Sequence, residues 1–271
     1  MPELPEVETS RRGIAPHILG KTFKAVEVRE PRLRWPVSAE ICAVLPGQTL
    51  RSVERRGKYL LLGAETGTLI LHLGMSGNLR ITAPDQLPGK HDHVDFVFAD
   101  DTVLRFNDQR KFGAVLWTSA DPLQHPLLAE LGPEPLSAEF DAAYLQRRAG
   151  QRSACIKSLI MDSHIVVGVG NIYASESLFL AGVLPTRAAG SLQTAEFERL
   201  AAAIKTVLGK AIEQGGTTLR DFTNAEGKPG YFKQALAVYG RGGEPCRTCA
   251  EPVRHLKIGQ RASYYCGRCQ C

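Results

Sequence analysis

Residues 246–269 read CRTCAEPVRHLKIGQRASYYCGRC, and this stretch decides the fold of the C-terminal end of the chain. Two Cys-x2-Cys pairs, Cys246 with Cys249 and Cys266 with Cys269, are separated by sixteen residues. This spacing is typical of two knuckles that hold four thiolates around one Zn²⁺. Four sulfur ligands leave no coordination position for water or substrate, so we expect one structural zinc ion without a hydrolytic role.

The stretch between the two cysteine pairs is basic and carries two tyrosines. Such a composition suits a hairpin laid against phosphates, although a solvated ribbon surface is an equally good explanation for any one of these side chains. The residues concerned are Arg254, His255, Lys257, Arg261, Tyr264 and Tyr265. The tail after residue 240 is too short to hold a hydrophobic core without a metal.

The composition is that of a globular protein with a mild basic bias. The 271 residues have 44% hydrophobic and 23% charged side chains and a net charge of +5, which permits a polyanionic partner without requiring one. The N-terminus lacks a secretory leader pattern and the chain has no uncharged stretch of bilayer length, so we expect a cytoplasmic protein without a membrane partner. Seven cysteines fit a disulfide framework poorly. Cys42, Cys155 and Cys271 are interpreted as spare thiols, although Cys271 lies close enough to the second cysteine pair to compete as a ligand.

The N-terminal half is predicted to be a helix followed by an antiparallel β-sandwich. Pro5 and the acidic side chains after it indicate a short helix over residues 5–18. From there to about residue 118 the chain is rich in β-forming residues bounded by Gly, Asp and Pro turns. The clearest strands are predicted at residues 22–28, 68–73, 94–98 and 103–106.

Beyond Asp121-Pro122 the pattern becomes helical, so the fold class is α+β with several domains. An apolar stripe runs from Phe197 to Ile212, with Thr194 as a predicted cap and Gly215-Gly216 as its predicted end. Prolines cluster before this region. We therefore predict an N-terminal domain over residues 1–120, a linker over 121–137, a helical domain over 138–235 and a zinc finger over 236–271.

Pro2 is a candidate nucleophile because a small second residue favours removal of Met1. Removal would leave a secondary amine, and an α-amine has a reference pKa of about 8, so an appreciable fraction is unprotonated at neutral pH. Such an amine can attack an electrophilic sugar carbon, with Glu3 and Glu6 near enough in sequence for proton transfer. Alternatively, Pro2 and Pro5 merely shape the approach to the helix, and spacing alone favours this second interpretation.

Four stretches of the chain together resemble the formamidopyrimidine-DNA glycosylase family. They are residues 2–9 (PELPEVET), 72–77 (HLGMSG), 168–176 (GVGNIYASE) and the four-cysteine tail, and they occur in the order expected for that family. The resemblance implies a bifunctional glycosylase and lyase. It implies excision of oxidised purines, such as 8-oxoguanine and formamidopyrimidines, from double-stranded DNA, followed by β,δ-elimination. The helical domain is then a helix-two-turn-helix domain.

The resemblance assigns four residues to the chemistry. Pro2 matches the family nucleophile that attacks C1′ of an everted nucleotide, and Glu3 matches its proton-transfer partner. Lys58 matches a lysine assigned to the elimination steps, although a lysine at the start of a strand is usually just solvated. Arg261 matches the zinc-finger arginine that grips the lesion phosphate.

Further residues match positions that contact DNA. Met75, Arg110 and Phe112 correspond to the side chains that fill the space left by the everted base, although Met75 and Phe112 would otherwise be assigned to a core. Gln109 stands where a proline is common. His91, Arg152 and Asn171 correspond to DNA-contacting positions, with Asn171 at the start of a helix and Arg152 where lysine is frequent. Residues 215–222 resemble the start of a loop over the everted base.

Two alternative functions differ in what they need from the sequence. Endonuclease VIII, of the same superfamily, prefers oxidised pyrimidines, but Leu4 and the set Met75, Arg110 and Phe112 favour the purine enzyme. A non-catalytic zinc-ribbon protein that recognises damaged or single-stranded DNA would keep the tail but need no free N-terminal amine. The expected protein is a monomer that takes damaged double-stranded DNA as its partner and uses no nucleotide cofactor, since the Gly-x-Gly at residues 168–170 is a weak cofactor fingerprint.

Overall fold

The structure is a computed structural model that describes residues 2–216 and 236–271. The chain divides into two compact units. The first contains residues 2–130 with Gly215 and Gly216, and the second contains Leu131–Gln214 with residues 236–271. The division falls inside the predicted linker at residues 121–137, while the other predicted boundaries remain predictions.

The first unit opens with helix α1, Leu4–Ile18, close to the helix predicted over residues 5–18. Glu3 caps the helix and forms a reciprocal capping box with Glu6, whose Oε2 accepts a hydrogen bond from the Glu3 N–H at 2.9 Å. The box satisfies backbone donors that the first turn would otherwise leave unpaired. Val7, Ile14 and Ile18 are buried, so one side of the helix belongs to the hydrophobic core.

Two antiparallel four-stranded sheets follow, which confirms the predicted antiparallel architecture. One has the strand order β1-β6-β7-β5 and the other β2-β3-β4-β8. The strands are β1 Phe23–Val28, β2 Ser52–Arg56, β3 Tyr59–Gly63, β4 Thr68–His72, β5 Asn78–Thr82, β6 Asp92–Phe98, β7 Val103–Asn107 and β8 Ala114–Thr118. A short helix α2, Ile41–Val44, lies between β1 and β2.

The core of the first unit lies between the two sheets and beneath α1. Phe96 and Phe106 from the first sheet belong to the same buried cluster as Leu60 and Leu71 from the second. Because each strand alternates its side chains between two faces, one face of each sheet supplies this cluster. The two sheets therefore form a β-sandwich.

The second unit is helical. Its helices are α3 Ala142–Ala149, α4 Ile156–Ile160, α5 Asn171–Ala181 and α6 Thr194–Glu213. The apolar stripe predicted from Phe197 to Ile212 is buried along α6, and Gly215 and Gly216 follow its end with positive φ angles of 75° and 78°. The predicted cap was wrong by one residue. Gln193 is the N-cap and forms a capping box with Glu196, so Thr194 is the first helical residue.

The C-terminal tail forms the predicted hairpin between its two cysteine pairs. Strand β9, Arg254–Ile258, pairs antiparallel with β10, Arg261–Tyr265. Gly259 lies at the turn with φ of 58°, a left-handed conformation that glycine adopts without a steric penalty. The turn presents Arg261 at the start of β10. Across the described ranges, 2–216 and 236–271, no helix has the length and apolar character needed to cross a membrane.

Candidate functional site

Pro2 and Glu3 lie buried at the N-terminal end of α1. Glu3 is only 3% exposed, and its backbone N–H is held by Glu6, whose side chain is itself fully buried. A Cβ added to Gly216 would stand 3.0 Å from Glu6 Oε1, so Gly216 lies against this carboxylate. The start of the chain is therefore fixed by α1, and the two sequence-predicted residues Pro2 and Glu3 are adjacent within one buried cluster.

Lys58 occupies the tight turn between β2 and β3, and α1 supports this turn through Glu8. Arg55 donates from Nε to Glu8 Oε2 at 3.1 Å and from Nη1 to the Gly57 carbonyl oxygen at 2.9 Å. Gly57 has a φ of 58°, which lets the chain reverse immediately before Lys58. Glu8 and Arg55 thus tie the Lys58 turn to the helix that begins at the N-terminus, a link that sequence spacing did not show.

The carboxylate of Glu8 is surrounded by three arginines. Burial opposes its ionisation, but hydrogen bonds from Arg11 and Arg12 and the charges of Arg11 and Arg55 outweigh burial and lower the pKa of Glu8 to about 2. Because this pKa is depressed in the folded state, the stability it contributes is present above the ordinary value of 4.5 and is lost as pH falls through about 2.

We expect Glu8→Gln to lower the free energy of unfolding by about 1–3 kcal/mol at pH 7, because the three arginines lose the negative charge and one of the two acceptor oxygens that they share. The difference between the parent chain and the variant should shrink as the pH falls from about 5 toward about 2. Urea unfolding at several pH values measures it. Exposed Glu40 is the matched control, and an equal loss in Glu40→Gln would contradict this role of Glu8.

His72, at the end of β4, faces the Lys58 turn. Its ring lies 4.7 Å from that of Tyr59, the residue paired with it on β3. Burial, followed by the positive charges of Lys58 and Arg34, lowers the pKa of His72 to about 4. The ring is therefore neutral at neutral pH, and its Nδ1 accepts a hydrogen bond from the Gly74 N–H at 3.0 Å. This contact fixes the start of the loop that carries Met75.

Two neighbouring loops of the sandwich bring Met75, Arg110 and Phe112 to the surface. Met75 lies between β4 and β5, whereas Arg110 and Phe112 lie between β7 and β8. Met75 is 37% and Phe112 39% exposed, so both stand out of the core to which such side chains usually belong. The Arg110 guanidinium carbon lies 4.8 Å from the centre of the Phe112 ring, within the range of a cation–π contact.

His91 is half-buried beside the loop of Arg110. Its carbonyl oxygen accepts a hydrogen bond from the Asp108 N–H at 3.0 Å, and its ring meets the buried ring of His93 edge to face at 6.4 Å. His93 Nε2 is in turn 2.7 Å from the Asp108 carbonyl oxygen. His91 was predicted from the sequence, whereas Asp108, whose buried carboxyl group hydrogen-bonds to both loops, was not.

In the second unit, Asn171 and Arg261 line one cavity of about 260 Å³. Asn171 begins α5, as predicted, and its Nδ2 donates to the Ala262 carbonyl oxygen at 2.9 Å. The Asn171 side chain therefore holds the zinc-finger hairpin. Arg261 is exposed at the edge of this cavity, and Arg152 is exposed in the turn between α3 and α4. Contacts of these residues with DNA stay predictions.

Lys157 is the residue of this cavity that the sequence analysis missed. It is 1% exposed, and its Nζ donates to Asn171 Oδ1 and to Ser263 Oγ, both at 2.7 Å. A buried ammonium is stable only when such partners replace water. Lys157 thereby joins α4, the start of α5 and strand β10. Its place inside the apolar run Ile156-Lys157-Ser158-Leu159-Ile160 was the available sequence signal.

The four cysteines of the tail come together as predicted. All four Sγ atoms lie within 4.8 Å of one another, with Cys246 and Cys269 at 3.9 Å and Cys249 and Cys266 at 3.4 Å. Tetrahedral zinc with Zn–S bonds of about 2.3 Å requires sulfur separations of about 3.8 Å. The cluster therefore fits a zinc ion. Cys42, Cys155 and Cys271 do not belong to it.

Buried contacts hold the cluster to the rest of the second unit. Gln270 accepts from the Cys266 N–H at 2.8 Å and donates to the Val183 carbonyl oxygen at 2.8 Å. On the other side, Glu176 of α5 accepts from the N–H groups of residues 237–239 at 2.7–3.0 Å. Zinc at this site would supply structural crosslinking, since all four ligands come from the protein.

The region predicted to contain a loop over an everted base extends beyond the described part of the chain. Gly215 and Gly216 belong to the structure, whereas residues 217–222 lie outside the described residues.

Family models and known proteins match nearly the whole chain. Three family models match it: the formamidopyrimidine-DNA glycosylase N-terminal domain over residues 1–115, the H2TH domain of the same enzyme over 131–223, and a zinc finger found in FPG and IleRS over 243–270. The formamidopyrimidine-DNA glycosylase of Methylococcus capsulatus is 60% identical over 270 residues and covers 100% of each chain.

Solved structures of proteins from the same family have the same fold as this chain. A Lactococcus lactis FPG mutant in complex with a Fapy-dG-containing DNA has a TM-score of 0.93 at 34% identity, covering 99% of each chain. The Lactococcus lactis Fpg in complex with DNA containing an abasic site has a TM-score of 0.92 at 34% identity, again covering 99% of each chain. The predicted α+β fold, with its antiparallel N-terminal domain, helix-two-turn-helix domain and four-cysteine finger, is thereby confirmed, and the chain belongs to the formamidopyrimidine-DNA glycosylase family.

Proposed function

We propose that this chain excises oxidised purines, including 8-oxoguanine and formamidopyrimidines, from double-stranded DNA and then cuts the strand as a lyase. The observation that supports the proposal best is that Pro2 and Glu3 are both buried at the start of α1, where Glu6 holds the Glu3 N–H, in a chain that matches the family along its length. A nucleophile held at a fixed helix end is positioned before the substrate arrives, which lowers the entropic cost of the reaction.

The first step uses the Pro2 nitrogen once Met1 has been removed. Its lone pair forms a bond to C1′ of the everted nucleotide, while the bond from C1′ to the base breaks and its electron pair leaves with the base. Glu3 is the proton-transfer partner in this exchange. Loss of the proton from the attacking nitrogen gives a neutral aminal. The sugar ring then opens: the C1′–O4′ bond breaks, O4′ takes up a proton, and the nitrogen lone pair forms the iminium that links the sugar covalently to the chain.

The later steps eliminate the two phosphates that flank the sugar. The iminium withdraws electrons, so a proton leaves C2′ and the C3′–O bond breaks, and a second elimination breaks the C5′–O bond. Lys58 supports these steps beside the lesion phosphates, in the turn that Glu8 and Arg55 hold. Arg261 grips the lesion phosphate for the second elimination, presented by the hairpin that Lys157 and Asn171 hold.

DNA binding is assigned to residues on both units. Met75 and Phe112 supply apolar surface for the space left by the everted base, and Arg110 hydrogen-bonds the unpaired cytosine. His91, Arg152 and Asn171 contact the DNA backbone. The relatives solved with a Fapy-dG-containing DNA and with abasic-site DNA support this partner. One structural Zn²⁺ is held by the four cysteines, and the protein acts in the cytoplasm as a monomer without a nucleotide cofactor.

The purine preference is tested by parallel single-turnover excision on two duplexes, one with 8-oxoguanine opposite cytosine and one with thymine glycol opposite adenine. We expect the 8-oxoguanine duplex to be cut about tenfold faster or more. A pocket built to hydrogen-bond one base has its own polar groups left unpaired when a different base enters it. Dominant thymine glycol cleavage would assign the chain the pyrimidine preference of endonuclease VIII instead. No covalent trapping on either duplex would favour a binding protein without catalysis.

A further inference from the structure

The carboxyl group of Asp108 lies beneath the loops of Met75 and Arg110 and hydrogen-bonds to both. Asp108 is 0% exposed, and its Oδ1 accepts from Ser76 Oγ at 2.7 Å and from the Arg110 N–H at 3.2 Å. Its Oδ2 accepts from the Gly113 N–H at 2.7 Å. Ser76 Oγ accepts in addition from the Arg110 N–H at 3.1 Å. The two contacts of Ser76 join residues that are 32 and 34 positions apart in sequence, whereas the other two lie within the Arg110 loop.

The backbones of the two loops are also in direct contact. A Cβ added to Gly74 would stand 2.4 Å from the Phe112 carbonyl carbon and 2.5 Å from the Gly113 nitrogen. Gly74 has a φ of 61°, so both its conformation and its space exclude a side chain. The loops therefore touch at Gly74 as well as at the Ser76 and Asp108 contact, and neither can shift alone without breaking buried hydrogen bonds.

We propose that Asp108, acting through Ser76, is a positioning residue that makes the two loops a single rigid body. The inference rests on the proposed function, in which Met75, Arg110 and Phe112 enter the duplex together. Three side chains on two independent loops would each lose conformational freedom on insertion, whereas a prearranged set has already lost it during folding. The hydrogen bonds to Asp108 should therefore affect the rate of excision from duplex DNA, through insertion of the two loops, and should leave the chemical step at C1′ unchanged.

Two variants weaken the link to different degrees. Asp108→Asn keeps the shape of the side chain but replaces one acceptor oxygen with a donor, so it cannot accept from all of Ser76, Arg110 and Gly113. Ser76→Ala removes only the hydroxyl and leaves Asp108 its two backbone donors. Ser177→Ala is the control for loss of a buried hydroxyl, since Ser177 Oγ has no hydrogen-bond partner among the described residues.

Activity is compared on a duplex and on a substrate without an opposite strand. We expect both variants to slow excision of 8-oxoguanine opposite cytosine, by about tenfold for Asp108→Asn and less for Ser76→Ala, and to reduce discrimination between cytosine and adenine opposite the lesion. The rate of borohydride trapping on a single-stranded abasic oligonucleotide should change less than about twofold. Without an opposite strand there is no orphan base, and no space in a duplex has to be filled. Equal losses on both substrates would overturn the proposal.

A double-mutant cycle with Arg110→Ala tests whether Asp108 acts through the loops. In the Arg110→Ala background, Asp108→Asn should cost clearly less than it does alone, because the two changes disable one element. Additive effects would contradict the proposal. Hydrogen exchange of peptides covering residues 73–77 and 108–113 gives a readout independent of activity.

In that exchange measurement, both peptides should exchange faster in Asp108→Asn and in Ser76→Ala, and faster exchange in residues 108–113 alone would overturn the rigid-body link.

Failure of the proposed function and failure of the Asp108 proposal give different results. If the parent chain does not excise 8-oxoguanine, the proposed function fails whatever the exchange shows. If the parent chain excises it and the variants behave like Ser177→Ala, only the role of Asp108 fails.

Discussion

Placing a Gly-Ser extension before Pro2 is expected to abolish excision and covalent trapping, with a loss of about 1000-fold or more in single-turnover rate. The extension converts the Pro2 nitrogen into an amide, whose lone pair is delocalised and cannot attack C1′. Binding to duplex DNA should persist, because the residues assigned to DNA contacts are unchanged. Borohydride trapping and a filter-binding assay on the same lesion duplex measure the two properties separately.

The control is a protein whose extension carries a protease site. Cleavage at that site leaves Pro2 as the first residue, and the intact mass confirms that the extension is gone. Activity should return to that of the parent chain from which Met1 has been removed. Pro2→Gly gives an intermediate case, since the α-amine of residue 2 remains but is primary and lacks the proline ring. Full activity in the extended, uncleaved protein would mean that another group is the nucleophile.

Cys266→Ser is expected to lose the zinc ion and to reduce excision about 100-fold or more. Cys266 is fully buried, and its Sγ lies 3.4 Å from that of Cys249. Structural zinc contributes about 10–16 kcal/mol of folding free energy in small zinc fingers, far more than the few buried side chains of this tail can replace. The hairpin should lose its structure, and Arg261 should then no longer be presented to a phosphate.

Three measurements on the same samples test this prediction. They are the zinc content, the excision rate and the far-UV circular dichroism spectrum, which reports the loss of secondary structure. Cys271→Ser is the matched control, because Cys271 is exposed and lies outside the four-sulfur cluster. It should retain one zinc per chain and full activity. Arg261→Gln should also retain zinc but lose the second elimination, leaving a product with the sugar remnant attached. A zinc-free Cys266→Ser protein with the parent rate would refute the structural role of the metal.

The parts of the fold that the sequence predicted are those with strong local patterns. Helix α1, the apolar stripe of α6 and the four strands predicted from β-branched and aromatic residues were all confirmed. The four-cysteine cluster was also predictable, because metal ligation imposes a fixed spacing on the chain. In each case the signal lies within about twenty consecutive residues, where periodicity and capping chemistry act.

The residues that sequence analysis missed act through contacts between distant segments. Lys157 and Ser263 are 106 positions apart, and Ser76 and Asp108 are 32 apart, so no local pattern relates them. Ser76, Asp108 and Ser263 look like ordinary polar residues until the fold buries them, whereas Lys157 is marked in the sequence only by its place in an apolar run. Strand β2 carries Glu54, Arg55 and Arg56, whose charges obscured the alternation of a strand. The partners of such supporting residues can be identified only once the tertiary structure is known.

The proposed mechanism requires that one particular atom of the protein, the Pro2 nitrogen, becomes bonded to the sugar. Trapping the intermediate with borohydride on 8-oxoguanine duplex DNA, followed by proteolysis and mass spectrometry of the adducted peptide, identifies that atom. We predict that the deoxyribose remnant is found on the nitrogen of Pro2, in a peptide that begins Pro2-Glu3-Leu4 and lacks Met1. An adduct on Lys58, or on any residue other than Pro2, would contradict the mechanism.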